Sequence, residues 1–340
     1  MIDLSARARM LSCAPKGILA ADESNASADK RLSTCGIKTT KETRRKYREL
    51  FLDAERIEDY LNGVILFEET LEQKDDKGKL FPDLLHKRNI MVGIKVDQGT
   101  EPFSESPDEL ITKGLIGLPE RLALFKKKHN IDFTKWRAVI TIDGDRLPTS
   151  GAILENARRL ASYARMVQEA GMVPVIEPEV LYDGKHSLLK SREVIEKTLT
   201  TVVAMLEESV VDPSSVVIKT SMALSGKDTG RIDKPSEVAK ETLAALRASV
   251  PRDIPGIVFL SGGQEDDQAT ENLRAIHALA KKEPVPWNLT YSYARAIQED
   301  ALSAWQCKDE NVPEARKAFL ARLEKLTQVY GEQEGTCIEL

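Results

Sequence analysis

Eight short apolar runs, each followed by an amphipathic segment, constrain this chain more than any other feature. They are GILAAD (17–22), GVILF (63–67), MVGIKVD (91–97), AVITID (138–143), VPVIEPE (173–179), SVVIKT (215–220), GIVFLSGG (256–263) and NLTYS (288–292). Each is too short for a free-standing helix. Continuous apolar runs of this length read as strands covered on both faces. The segments between them, such as TKETRRKYRELFLDAE, LENARRLASYARMVQEAG and KPSEVAKETLAALRAS, carry the opposite pattern. In the last, Val238, Leu243, Ala244 and Leu246 interleave with charge, as a helix covering a sheet requires. Eight strand–helix alternations predict an α/β fold, the (β/α)8 TIM barrel. The competing arrangement is a doubly wound open sheet. It calls for a glycine-rich turn after the first strand, and AADESNAS is not one.

The 340 residues suffice for one large domain or two ordinary ones. With no linker or composition break, one domain is expected over 1–340, with about 306–340 as a helical extension or tail. Hydrophobic residues at 41% and charged residues at 30% fit a large core under a charged surface. No run is long enough to span a membrane, and the N-terminus lacks the apolar stretch of a secretory signal. Cys13, Cys35, Cys307 and Cys337 show no paired spacing, so free thiols and a cytoplasmic location are expected. A net charge of -5 without a basic stripe argues against nucleic acid, yet leaves room for a small anionic ligand.

A barrel of this kind places its chemistry at the C-terminal ends of the strands. Those ends carry Asp22, Lys95 with Asp97, Glu177 and Glu179, Lys219, Ser261 with Gly262 and Gly263, and Ser292 followed by Arg295. Taken singly, a strand-end lysine is a solvated loop residue, and paired glutamates cap a helix. Taken together, lysines and carboxylates converge on one mouth, where a buried amine must be paired or neutral. That combination suits Schiff-base chemistry. A neutral lysine amine attacks a carbonyl, the iminium accepts electrons from a breaking carbon–carbon bond, and carboxylates move the protons. Glu177, Glu179 and Asp22 can supply those carboxylates.

LSGGQ precedes a helical segment, an arrangement in which backbone N–H groups approach an anion. Arg295, one turn into the last helix, adds charge. A second basic group, Lys30 and Arg31 with Arg44, follows Ser24 and Ser27. Two anion sites on opposite sides of the lysine suit a substrate phosphorylated at both ends. The histidines His86, His129, His186 and His277 lack ligand spacing, so neither a metal nor another cofactor is expected.

The motifs KGILAADES, GVILFEETL, GIKVD, KWRAVI, VPVIEPEVL, VVIKTSM, FLSGGQ and YSYARA stand in one order between residue 15 and about 305. In that order the chain resembles the class I fructose-1,6-bisphosphate aldolases. The resemblance implies a (β/α)8 barrel, commonly a homotetramer. It implies reversible cleavage of fructose 1,6-bisphosphate to dihydroxyacetone phosphate and glyceraldehyde 3-phosphate in glycolysis and gluconeogenesis. Lys219 then matches the Schiff-base lysine, Glu177 the general acid/base with Glu179 beside it, and Asp22 the aspartate at the substrate hydroxyls. Lys135 matches a lysine assisting the imine site. From position alone it lies at the start of the fourth strand, where the mouth rule favours Asp143. Ser261, Gly262, Gly263, Ser292 and Arg295 match the C1-phosphate site. Arg31, Ser24, Ser27, Lys30, Arg44, Lys95 and Arg137 match the C6-phosphate side.

The chain departs from the family pattern at three places. Lys219-Thr220-Ser221-Met222 stands for Lys-Pro-Asn-Met, and Ser292-Tyr293-Ala294-Arg295 for Ser-Tyr-Gly-Arg. VYGEQEGTCIEL lacks the tail tyrosine that serves proton exchange at the enamine carbon in animal enzymes. Another group is therefore expected to serve that step, or the step to be slow. The alternatives are an aldolase for another ketose phosphate (sedoheptulose 1,7-bisphosphate or fructose 1-phosphate), another Schiff-base barrel of the transaldolase or deoxyribose-phosphate aldolase kind, and a non-catalytic scaffold.

Overall fold

Eight parallel strands close into one barrel in chain order, as the alternation predicts. The structure, a computed structural model, describes residues 3–331. The barrel strands are β1 (Gly17–Ala21), β2 (Leu61–Leu66), β3 (Met91–Lys95), β6 (Phe133–Ile140), β7 (Val173–Val180), β8 (Val217–Thr220), β9 (Gly256–Phe259) and β10 (Asn288–Tyr293). Between β3 and β6 lies an antiparallel hairpin of β4 (Thr100–Phe103) and β5 (Ser106–Thr112). The hairpin was not expected, because its charged sequence TEPFSESPDELIT has no apolar run to mark it. The three quoted amphipathic segments form the helices Lys41–Leu52, Ser150–Glu169 and Pro235–Ser249. A further helix, Val312–Thr327, follows the barrel, and residues 332–340 of the expected tail lie outside the described residues.

Strand period divides the core in two. Ile18 and Ala20 on β1, Ile65 on β2, Phe133 on β6, Val173 and Val175 on β7, Val217 on β8 and Val258 on β9 form one cluster inside the barrel. Ala8 and Leu11 of the helix Leu4–Leu11 join that cluster. The alternate positions, among them Leu19, Ala21, Trp136, Ile176 and Ile218, pack outward against the helices. Two residues further on, the same inward face reaches Asp22 on the β1 side, Lys135, Glu177 and Lys219. The barrel thus has an apolar floor and a charged layer above it, built on the same strands.

Phe133 needs space on two neighbouring strands. A Cβ on Gly93 would lie 2.3 Å from its ring, and one on Gly63 would lie 3.0 Å from it. Glycine at these positions lets an aromatic ring fill the floor. Gly93→Ala should therefore cost about 1–3 kcal/mol through overpacking. Denaturant unfolding reads this directly, and an unchanged midpoint would contradict the packing account.

Two sequence expectations need correction here. The fourth barrel strand begins at Phe133 and ends at Ile140, not at 138–143. The charged Lys135 and Arg137 interrupt its apolar run, yet both lie within the strand. Cys13 is disulfide-bonded and not a free thiol. Spacing along the chain does not report proximity in space. Cys35 and Cys307 are free, and Cys337 lies outside the described residues.

Candidate active site

Four charged side chains meet above the apolar floor. Lys219 Nζ lies 3.0 Å from Glu177 Oε1. Lys135 Nζ lies 3.1 Å from Glu177 Oε2 and 2.6 Å from Asp22 Oδ2. All four residues are buried, at 8% exposure or less. Strand register explains the meeting. β6 and β7 pair Lys135 with Val175 and Arg137 with Glu177, and β8 pairs with β7 through Val217 and Ile218. Glu177 therefore stands between the two lysines.

The electrostatics follow from this geometry. Burial would raise the Asp22 carboxyl, but Lys135 and Lys219 outweigh it and bring it down to about 2. Burial likewise opposes ionisation of Glu177, and Lys135, Lys219 and Arg137 hold it below the usual carboxylate range. Burial would lower Lys135, while Asp22 and Glu177 raise it above the ordinary lysine value. Lys135 is thus a fixed cation held by two carboxylates, and Lys219 is the lysine with one. Asp143, which position alone favoured over Lys135, is exposed and pairs with Arg146.

A second layer surrounds the cluster. Glu179 receives Arg137 in an ion pair, and Lys95 pairs with Asp97. Asp97 also accepts the Arg137 backbone N–H at 3.2 Å, which ties β3 to β6. Glu23, next to Asp22, takes Arg31, Arg48 and the Tyr47 hydroxyl. Arg31 further donates to Gln298 at 2.6 Å and to Glu299 at 2.8 Å. Sequence reading found no use for Glu23 and missed Arg48, Tyr47 and Gln298. Tyr47 and Arg48 lie on the helix Lys41–Leu52 and Gln298 on the helix Arg295–Trp305, where their burial is indistinguishable in sequence from a solvated face.

The loop after β9 has the form expected for an anion site. Gly262 and Gly263 have φ of 60° and 95°, in the region that favours glycine. Among the described residues, neither N–H meets a backbone acceptor. The Gln264 amide holds the turn by donating to Ser261 O at 2.9 Å and accepting from Asn272 at 2.7 Å. The helix Asp266–Lys282 begins directly after it. Ser292 Oγ on β10 is buried without a hydrogen-bond partner, so its donor is available. Arg295 is the first residue of its helix, not one turn in, and is exposed.

Residues of both predicted anion groups line a single cavity of about 620 Å³: Ser27, Lys30 and Arg31 from one, Gly263 and Arg295 from the other. Ser24 caps its helix by accepting the Ser27 N–H at 3.3 Å. Arg44 is placed differently. It clamps Asp29 and Glu69 at 2.9 and 2.8 Å and does not line this cavity.

The sequence model of the family described as "Fructose-bisphosphate aldolase class-I" matches residues 3–334. The chain belongs to that family. It is 45% identical to fructose-bisphosphate aldolase C of Rattus norvegicus over 310 residues, 91% of this chain and 84% of that protein. It is 43% identical over 320 residues to the cytosolic fructose-bisphosphate aldolase 4 of Arabidopsis thaliana, covering 94% of this chain and 80% of the relative. The Bos taurus fructose-bisphosphate aldolase B matches at 43% identity over 320 residues, 94% and 87% of the two chains. A solved Plasmodium falciparum aldolase, in complex with TRAP and a small-molecule inhibitor, superimposes with a TM-score of 0.93. It is 40% identical, and the match covers 98% of this chain and 95% of that one. The aldolase family consists of lyases that act through a Schiff base without a metal, on phosphorylated sugars. Among the described residues no helix is long and apolar enough to cross a membrane.

The departures from the aldolase pattern are accommodated locally. Ser221 Oγ donates to Val180 O at 2.8 Å and joins the ends of β8 and β7. Thr220 is wholly buried, and nothing in the structure explains its unpartnered hydroxyl. Ala294 has φ of -110°, outside the region that favours glycine. The residues on which the proton-exchange expectation falls lie mostly outside the described ones.

Proposed function

We propose that Lys219 is the nucleophile of this aldolase and fructose 1,6-bisphosphate its main substrate. The observation that carries this reading is the buried set of Lys219, Glu177, Lys135 and Asp22. The Lys219 amine must give up a proton before it attacks the C2 carbonyl, and Glu177 at 3.0 Å is placed to take it. Attack forms the nitrogen–carbon bond as the carbonyl π bond opens onto oxygen, and a second amine proton passes to that oxygen to give the carbinolamine. Glu177 returns the proton to the departing hydroxyl, water leaves, and the iminium remains. Asp22, held ionised by Lys135, takes the proton of the C4 hydroxyl. The C3–C4 electron pair flows into the iminium, the aldehyde product departs and an enamine is left. Protonation at C3 and addition of water then release the ketone phosphate and the free lysine.

Around that centre, Ser261, Gly262, Gly263, Ser292 and Arg295 hold the C1 phosphate. Ser24, Ser27, Lys30, Arg31, Lys95 and Arg137 serve the C6 end. Glu179 positions Arg137, and Arg44 acts at a distance by fixing the helix that carries Lys30 and Arg31. The enzyme works without a cofactor, in the cytoplasm, as a homotetramer of single-domain subunits. The family's habit and the cytosolic relative support those last assignments. A coupled assay tests the substrate. Fructose 1,6-bisphosphate should be cleaved with a kcat/KM at least about tenfold above that for fructose 1-phosphate or sedoheptulose 1,7-bisphosphate, through the second phosphate contact. EDTA should leave the rate unchanged. Faster cleavage of either competitor, or loss of activity in EDTA, would contradict the reading.

A further inference from the structure

Lys227 lines the same cavity as Lys30, Gly263 and Arg295, and neither motif reading assigns it a use. It lies beyond β8, eight positions after Lys219, on a loop built to hold it in place. The Gly226, Lys227 and Asp228 N–H groups donate to the carbonyls of His186, Tyr182 and Gly184 at 2.8, 2.8 and 2.9 Å. This zips the loop after β8 onto the loop after β7. Gly226 permits the close approach, since a Cβ there would lie 2.3 Å from Gly184 O. Ser225 anchors the other end, donating through N–H and Oγ to Asp233 at 2.6 and 2.8 Å. Tyr182 in turn lies beside Gly263, its ring 3.9 Å from where a Cβ on Gly263 would stand. The backbone of Lys227 is thereby fixed to the neighbour of the glycine turn.

The charge on this rim is uneven. Arg31 forms ion pairs with Glu23 and Glu299. Among the described residues Lys30, Lys227 and Arg295 have no ion pair. The carboxylates of Glu23, Glu265, Asp266 and Glu299 line the same cavity, and Arg31 holds the first and last of them. Lys227, without an ion pair of its own, keeps its charge for a dianion at the glycine turn, and a fixed backbone lowers the cost of ordering the side chain that meets it.

We propose that Lys227 is a substrate-binding residue that contacts the phosphate held at the Gly262–Gly263 turn. This rests on the aldolase reading for the identity of the phosphate, but not for the presence of an anion site. Lys227 acts in binding and touches no reacting bond. Removing its charge therefore changes KM and leaves kcat in place.

The test compares wild type with Lys227→Met and Lys227→Arg. For Lys227→Met, KM should rise about 5–10-fold for both fructose 1,6-bisphosphate and fructose 1-phosphate, with kcat within about twofold. The arginine variant should restore KM to within about twofold of wild type, since it keeps the charge. The dependence of KM on ionic strength should be shallower in the methionine variant, which a merely structural role would not produce. A KM unchanged in Lys227→Met, or raised for the bisphosphate alone, overturns the assignment. Calorimetric titration with inorganic phosphate keeps the test independent of turnover. If the wild type cleaves neither sugar, the aldolase reading fails. An affinity about 3–10-fold weaker in Lys227→Met would still support the anion contact, and equal affinity would overturn it.

Discussion

Lys219→Met is expected to lower the rate of fructose 1,6-bisphosphate cleavage by about 10⁴-fold or more, into the background of the assay. Methionine fills the same space without an amine, so no imine forms and the C3–C4 electrons have no acceptor. The fold should survive. Glu177 keeps Lys135 at 3.1 Å as a partner, so no buried carboxylate is abandoned. The expected loss is about 1–2 kcal/mol, below the cost of leaving a buried charge alone. Thermal unfolding checks this half of the prediction and kinetics the other. A folded variant with more than about a hundredth of wild-type turnover would contradict the assignment of Lys219.

Lys135→Met should have the larger effect on stability. It removes the cation that Asp22 and Glu177 share, and both carboxylates are buried. Breaking one side of such a cluster costs about 3–5 kcal/mol at neutral pH. Turnover should also drop about 10²–10⁴-fold, because the two carboxylates would no longer be held ionised for proton transfer. The pH dependence gives a sharper signature. In the wild type the Asp22 carboxyl titrates at about 2, below its ordinary value of 3.8. Its contribution is therefore complete above pH 3.8 and is lost as pH falls through 2. Without Lys135, burial of Asp22 is opposed by Lys219 and the weaker pull of Lys95, and its carboxyl shifts upward. The variant should then gain stability relative to wild type as pH falls from 7 towards 4. Denaturant midpoints across that range measure the difference. A constant gap between the two proteins would show that Lys135 does not hold the carboxylates.

Lys135 also marks where the sequence was legible and where it was not. Apolar runs located every barrel strand, because strands covered on both faces have few polar positions. β6 was the exception in its bounds. Its inward face carries Lys135 and Arg137, so a rule based on apolar continuity starts it late and promotes Asp143 to the mouth. Period two would have corrected this, since Phe133, Lys135 and Arg137 share a face. Ala20 and Ala21 make the same point. Adjacent in one apolar run, they face opposite ways, with Ala21 packed on the outer core and Ala20 turned inward.

The polar support of the site was less legible for a physical reason. Glu23 takes its partners from positions 31, 47 and 48, and Arg31 also reaches 298 and 299. Such contacts join distant segments that the barrel brings together, and no local pattern encodes them. Lys227 belongs to the same class. Its place depends on two loops zipped through their backbones, while in sequence it is one lysine among many on a surface turn.

The central claim is that Lys219 carries the reaction through an imine. Borohydride reduction in the presence of dihydroxyacetone phosphate tests it most directly, with peptide mass mapping of the product. A covalent adduct on Lys219, formed equally in EDTA and absent from Lys219→Met, is the predicted result. An adduct on Lys135, or none on the folded protein, would contradict the account.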